Sequence, residues 1–218
     1  MKTITVKGVG KVSEKPDYIE ISLKLNSVDK DYGKTIEHIS EKIDKLNKSL
    51  EEISFEKGSL KTTNFNVKTR YDSVKTKTGD YESVFKGYEC RHSLKLSFDF
   101  DTKRLAKVLS AMTACVANPE FSISFTVKDQ TKISKELLIS ASKNAKEKAE
   151  ILCEASGTKL GELISIDYNW GDLNTYSNTD YSISRMCNAN VMADYASIDI
   201  EPEDMKIDDT ATFVWEIK

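Results

Sequence analysis

The sequence predicts an α+β protein: antiparallel strands with long amphipathic helices packed on one face, in the approximate order ββαββαβαββ. Two observations carry that expectation. Apolar and polar residues alternate in several separate runs, which is the period of a half-buried strand. Between those runs apolar residues recur at steps of three and four over long stretches, which is the period of a helix with one buried stripe.

The first two runs are residues 3–12 and 17–25. In the second, Ile19, Ile21, Leu23 and Leu25 fall on one face, and Glu20, Ser22 and Lys24 on the other. Glu14-Lys15-Pro16-Asp17 reads as a turn, because Pro16 has no N–H for a ladder. A β-hairpin or a bent, bulged strand pair is therefore expected at the start. Gly8 and Gly10 begin like a dinucleotide fingerprint, but the third glycine is missing and a turn and strand follow in place of a helix. They are expected at a bulge or close strand crossing, where a side chain would strike a neighbouring strand or φ is positive.

From about residue 28 to 54, Tyr32, Ile36, Ile39, Ile43, Leu46, Leu50 and Ile53 form one stripe on a long helix. The stripe also satisfies a heptad, so a coiled-coil seam competes with packing on the protein's own sheet. The sheet is the favoured partner, since the neighbouring amphipathic strands need covering. Thr62–Val67 and Ser83–Phe98 then read as the arms of a hairpin whose tip includes Lys77-Thr78-Gly79-Asp80. In the second arm Tyr88, Cys90, His92, Leu94, Leu96 and Phe98 share one face. Glu89, Arg91, Ser93, Lys95, Ser97 and Asp99 share the other, which gives the sheet a wet side.

Asp101 is placed to cap a second helix carrying Leu105, Val108, Leu109 and Met112, which Asn118-Pro119 ends. Phe121, Ile123, Phe125 and Val127 give another strand. A third helix is expected from about Lys132 to Ala155, with Leu138, Ala141, Ala145, Ala149 and Leu152 on one face and Gly157 beyond its end. Ile164, Ile166 and Tyr168 start a further strand, and Ala211, Phe213, Trp215 and Ile217 line the last. Residues 171–197 carry no period and read as an irregular insertion within a single domain spanning residues 1–218.

Composition bounds the function. A chain of 218 residues buries about 70% of its unfolded surface. With 39% hydrophobic and 31% charged residues it is an ordinary globular sequence. A net charge of −3 supplies no global field for a phosphate backbone or an anionic bilayer, so nucleic acid is not an expected partner. No run approaches the ~20 apolar residues that span a membrane. The opening residues alternate like a strand and lack the apolar core of a secretory leader, so a cytoplasmic location is expected; a trimmed leader would make the protein secreted. Cys90, Cys115, Cys153 and Cys187 lie far apart and are expected as free thiols in a reducing compartment.

Candidate chemistry is sparse. Only His38 and His92 are present, which limits nucleophilic triads and histidine-rich metal sites. Cys90 and His92, two apart on a strand, project from one face and could pair as thiolate and imidazole, but that face is the apolar one. Cys-x-x-Cys, His-Glu-x-x-His and acidic ligand loops are absent, so no metal, cofactor or catalytic residue is assigned. Charge is uneven: Lys57, Lys61, Lys68, Arg70, Lys75 and Lys77 face few acids, and the acidic residues gather from Asp194 onward. Two solvated surfaces explain this, and complementary steering between subunits is the sharper reading.

With these residues in place, the sequence resembles the SIMPL-domain family of bacterial cytoplasmic, periplasmic and surface proteins. Gly8-Val9-Gly10-Lys11-Val12 followed by Pro16-Asp17 and Ile19-Glu20-Ile21-Ser22-Leu23 is similar to the family's opening segment. Thr62-Thr63-Asn64-Phe65-Asn66-Val67 with Tyr71, and then Gly87-Tyr88, resemble its central strands. Ala141, Ala145, Lys148-Ala149, Leu152, Gly157 and Leu160-Gly161 resemble its alanine-rich helix and glycine exit. The similarity covers nearly the whole chain, except residues 171–197. It implies an α+β fold with helices packed on antiparallel strands, and links to stress tolerance, surface antigenicity and large channel-like homo-oligomers. The family has no established catalytic residues, so none is carried over.

The leading expectation is a non-enzymatic, self-assembling binding or scaffold protein that forms homo-oligomers. A second is a thiol-based redox enzyme or sensor using Cys90 or Cys187. A third is a small-ligand or peptide binder closed by the Tyr-rich 168–195 segment, with Tyr168, Trp170, Tyr176, Tyr181 and Tyr195.

Overall fold

The computed structural model describes residues 2–75, 79–168, 173–179, 181–183 and 200–218. Its elements are β1 (Lys2–Glu14), β2 (Tyr18–Asp29), α1 (Tyr32–Glu52), β3 (Lys61–Lys75), β4 (Tyr81–Asp99), α2 (Thr102–Ala114), β5 (Glu120–Thr126), α3 (Gln130–Ala155), β6 (Leu160–Asp167), β7 (Tyr181–Ile183) and β8 (Met205–Ile217). The α+β class is the one the periods predict. The order differs by one strand, the short β7, which falls where the sequence shows no period. The strands form a three-stranded sheet, β1-β8-β6, and a five-stranded sheet, β3-β4-β2-β5-β7. Chain contacts divide the molecule into two compact units.

The first unit comprises Met1–Asp17, Phe125–Thr179 and Pro202–Lys218. In it β1 pairs antiparallel with β8 along its whole length, from Lys2 opposite Ile217 to Glu14 opposite Met205. The hairpin expected at the start therefore does not form: β1 joins the last strand, and β2 joins β4. Alternation specifies which face of a strand is buried, but not which strand completes its ladder. Helix α3 packs on this sheet, mainly along β1 and β8. Asp129 caps it, accepting from the N–H groups of Thr131 and Lys132. Its buried face is Ile133, Leu137, Ala141, Ala145, Ala149 and Cys153. Leu137 and Cys153 thus replace the expected Leu138 and Leu152, and Leu152 is exposed.

Helix α3 lies close against β1. A Cβ added at Gly8 would overlap the carbonyl oxygen of Ala141, and one at Gly10 that of Leu137. What these glycines make room for is a helix backbone, not the neighbouring strand expected from the sequence, and neither has a positive φ. Two small cores result: Val6, Ala145, Ala149, Ala211, Phe213 and Trp215 form one, and Val127, Ile133, Leu137, Met205 and Ile207 the other. Part of the aperiodic segment is anchored here. Leu173 packs on the second core, Thr126 Oγ1 donates to the Thr175 carbonyl at 2.7 Å, and Ser177 N–H to that of Phe125 at 2.8 Å.

The second unit comprises Tyr18–Ser124 and Asp180–Glu201. Its sheet buries Ile19, Ile21, Leu23 and Leu25 of β2 and Cys90, His92, Leu94, Leu96 and Phe98 of β4. Helix α1 starts at Tyr32 and not near residue 28, because β2 runs on to Asp29. The Asp31 carboxylate caps it, accepting from Lys34 N–H. Ile39, Leu46 and Leu50 are buried, and the helix packs on β2, β4 and α2. The stripe that also fits a heptad is thereby used within the unit. Asp101 caps α2 as the sequence indicates, through the N–H groups of Lys103 and Arg104, but the helix ends at Ala114, ahead of Asn118-Pro119.

Candidate functional site

Both arms of the β3–β4 hairpin are longer than the sequence suggests. Strand β2 accompanies β4 only as far as the Asp29–Tyr88 pair, whereas β3 and β4 continue together to Lys75 and Tyr81. Gly87 marks the departure: its φ is +130°, and a Cβ there would overlap the Asp29 carbonyl oxygen. Beyond it runs a two-stranded ribbon. A register shift between Arg70 and Tyr71 leaves Lys86 as an extra residue, so that Phe85 and Tyr88, three apart, share one face. Aromatic rings then touch edge to face along the ribbon base: Tyr71 to Phe85 at 5.6 Å, Phe85 to Tyr88 at 5.6 Å, and Tyr88 to Tyr32 at 5.5 Å. Tyr71, Val74, Tyr81, Val84 and Phe85 are all exposed.

Another margin is β6, which ends the β1-β8-β6 order and among the described residues pairs with β8 alone. Leu163, Ile164 and Ile166 are exposed on it. Edge strands present unpaired N–H and C=O groups, and monomeric proteins usually blunt them with charge or cover them. Here Glu162 and Asp167 place charge toward the two ends of the strand, and three large apolar side chains are exposed between them.

On the polar face of the five-stranded sheet, register brings charged and amide side chains into rows. Lys24 and Asn64 flank Ser93, Asn26 and Asn66 flank Arg91, and Val28 and Lys68 flank Glu89. Glu89 is only 5% exposed. Its carboxylate accepts from Asn26 Nδ2 at 3.1 Å and Arg91 Nη2 at 3.1 Å, and pairs with Lys68 Nζ at 3.4 Å. Burial pushes its pKa up, but the hydrogen bonds from Asn26, Arg91 and Lys68 and the Arg91 charge together hold it below the ordinary value. A cavity of about 520 Å³ opens beside this group, lined in part by Lys24, Asn26, Asn64, Arg91, Ser93 and Glu120. Periodicity assigns Glu89 to the wet side. Its burial depends on cross-strand register, for which a single sequence holds no signal.

The residues singled out from the sequence are scattered. Cys90 is fully buried, and burial raises its thiol pKa, which suppresses the reactive thiolate. His92 is buried with its pKa lowered by burial; Nε2 lies 2.8 Å from Thr62 Oγ1, and the ring meets Phe65 edge to face. Redox chemistry therefore gains no support from Cys90, while Cys187 lies outside the described residues. His38 is exposed on α1. Cys115 and Cys153 are buried free thiols. Tyr168 Oη donates to Asp209 Oδ2 at 2.7 Å, and Tyr176 forms a bridge with Thr126. Trp170, Tyr195 and Lys77 lie outside the described residues, as does most of the 171–197 segment. Among the described residues no cluster of three His, Cys, Asp or Glu side chains could hold a metal ion, and no helix is long and apolar enough to cross a membrane.

A family model described as SIMPL, a protein of unknown function (DUF541), matches residues 4–215. No curated protein matches the chain.

Proposed function

Because the chain belongs to the SIMPL family, a membership that brings no activity with it, we propose that it is a non-enzymatic binding protein that assembles with copies of itself through uncovered strand edges. The observation that carries this reading is β6: a strand that among the described residues is paired on one side, with Leu163, Ile164 and Ile166 exposed along it. A second copy laid antiparallel along it would satisfy the open backbone groups and cover the apolar side chains in one step. The exposed aromatics of the β3–β4 ribbon supply a further adhesive surface of the kind enriched at interfaces. A link to stress tolerance rests on the family resemblance alone.

Light scattering coupled to size exclusion at tens of micromolar tests the proposal. The expected mass is a multiple of the 24.6 kDa chain. The double substitution Leu163→Lys and Ile166→Lys should return it to a monomer with unchanged far-UV circular dichroism, because both side chains are exposed in the single chain. A wild-type protein that is sharply monomeric sinks the reading.

A further inference from the structure

We propose that the cavity on the polar face of the five-stranded sheet binds a small organic carboxylate, with Arg91 and Lys24 as its cationic contacts. This inference stands on different residues from the assembly reading and holds whether or not the protein assembles.

Charge is the first argument. Glu89 is shared by two cations, Lys68 and Arg91, so that group keeps an uncompensated positive charge. Lys24 is exposed at the cavity wall and forms no ion pair among the described residues. Glu120, also at the wall, offsets part of this surplus, which suits a monoanion better than a doubly charged phosphate.

Pre-organisation is the second. Arg91 reaches the cavity with its Nη2 already fixed at 3.1 Å from Glu89, and Glu89 is fixed in turn by Asn26. An arginine held in this way keeps further N–H donors in a planar fork, the geometry that matches a carboxylate in two parallel hydrogen bonds. Asn64 and Ser93 add neutral polar groups to the same wall.

The third argument narrows the class. Asn26 spends its amide N–H on Glu89, and its Oδ1 is a buried acceptor with no partner. A hydroxyl or ammonium group beside the ligand's carboxylate would satisfy that acceptor after a small side-chain adjustment. A volume of about 520 Å³ lies within the range of small-molecule sites, about 300–1,000 Å³. The assigned ligands are therefore small α-hydroxy and α-amino carboxylates.

Calorimetric titration of the full chain at low ionic strength with L-lactate, L-serine and inorganic phosphate tests the assignment. At least one of the two carboxylates should bind saturably, and phosphate at least roughly tenfold more weakly. Lys24→Met and Arg91→Met should each weaken carboxylate binding by roughly tenfold or more, and Lys7→Met, on β1, should leave it unchanged. Arg91→Met also releases Glu89, so its fold is checked by circular dichroism; if it fails to fold, Lys24→Met decides alone, since its side chain is exposed and unpaired. The proposal is overturned by any one of three results: no saturable carboxylate binding up to ~10 mM, phosphate binding as tightly as the carboxylates, or a folded Lys24→Met that binds like wild type.

Discussion

Glu89 is a carboxylate with nearly the whole of its side chain withdrawn from water, kept charged by Asn26, Arg91 and Lys68. Its pKa in the folded protein lies below the ordinary carboxylate value. A depressed carboxylate contributes stability that is fully present above the unfolded pKa and is lost as pH falls through the folded one. Glu89→Gln should therefore lower stability at pH 7 by about 1–3 kcal/mol, toward the lower end because the cationic partners are half exposed. The gap should narrow below about pH 4, where the wild-type carboxyl also takes up a proton. Urea unfolding of both proteins at pH 7 and pH 3 measures it, and an equal gap at the two values would show that the charge is not what matters. Single residues divide sharply in how well they read from sequence. Asp101 announces its cap, because a short acidic side chain before a helical period has one obvious role. Glu89 announces nothing, because two of its three partners, Lys68 and Asn26, lie more than twenty and more than sixty positions upstream.

Elements were legible in type, less so in extent and partner. The alternation of β4 from Tyr88 to Phe98 sorts its core face correctly, and α1 and α2 bury residues the helical period selects. The hairpin and its second arm from Ser83 were legible, but the run of β3 past Val67 was not, because a ribbon with both faces open imposes no apolar period on its sequence. Nor was the partner of β1. The seam between β1 and α3 illustrates the limit: the glycines signal a close approach, while what approaches is known only once α3 is docked. Since the colliding atoms are helix carbonyl oxygens, the neighbour cannot yield as a flexible side chain would. Gly10→Val should cost about 1–3 kcal/mol through overpacking, read as a lower denaturant midpoint. An unchanged midpoint would mean that α3 rides away from β1 at no cost.

For the whole molecule, the distribution of uncovered apolar surface limits the routes to assembly. The α1 stripe is taken by its own sheet. Among the described residues, open apolar surface includes the β6 margin and the β3–β4 ribbon, and the sequence adds a charge asymmetry. These routes respond differently to salt. Exposed charge pairs are screened as the Debye length falls from about 14 Å at 50 mM to about 4 Å at 0.5 M. Backbone pairing and apolar burial are not. Edge-strand assembly should therefore keep its mass across that range and tolerate Lys75→Glu, as followed by light scattering. Dissociation under either treatment would transfer the contact to complementary charge between subunits.

The pairing of the first strand with the last also governs the order in which this protein can come into being. A ribosome releases β1 well before β8, with all the other elements between them, so β1 must wait until those have been made. The residues from Tyr18 to Ser124 face no such delay, since β2, β3 and β4 and both of the helices among them emerge in one stretch. Closing the β1–β8 ladder brings together two strands with all the other elements between them in sequence, and such non-local pairings form slowly. The nascent protein therefore passes through a stage with one sheet built and a bare strand, Lys2–Glu14, trailing from it. A chaperone that shields extended segments would find its client there.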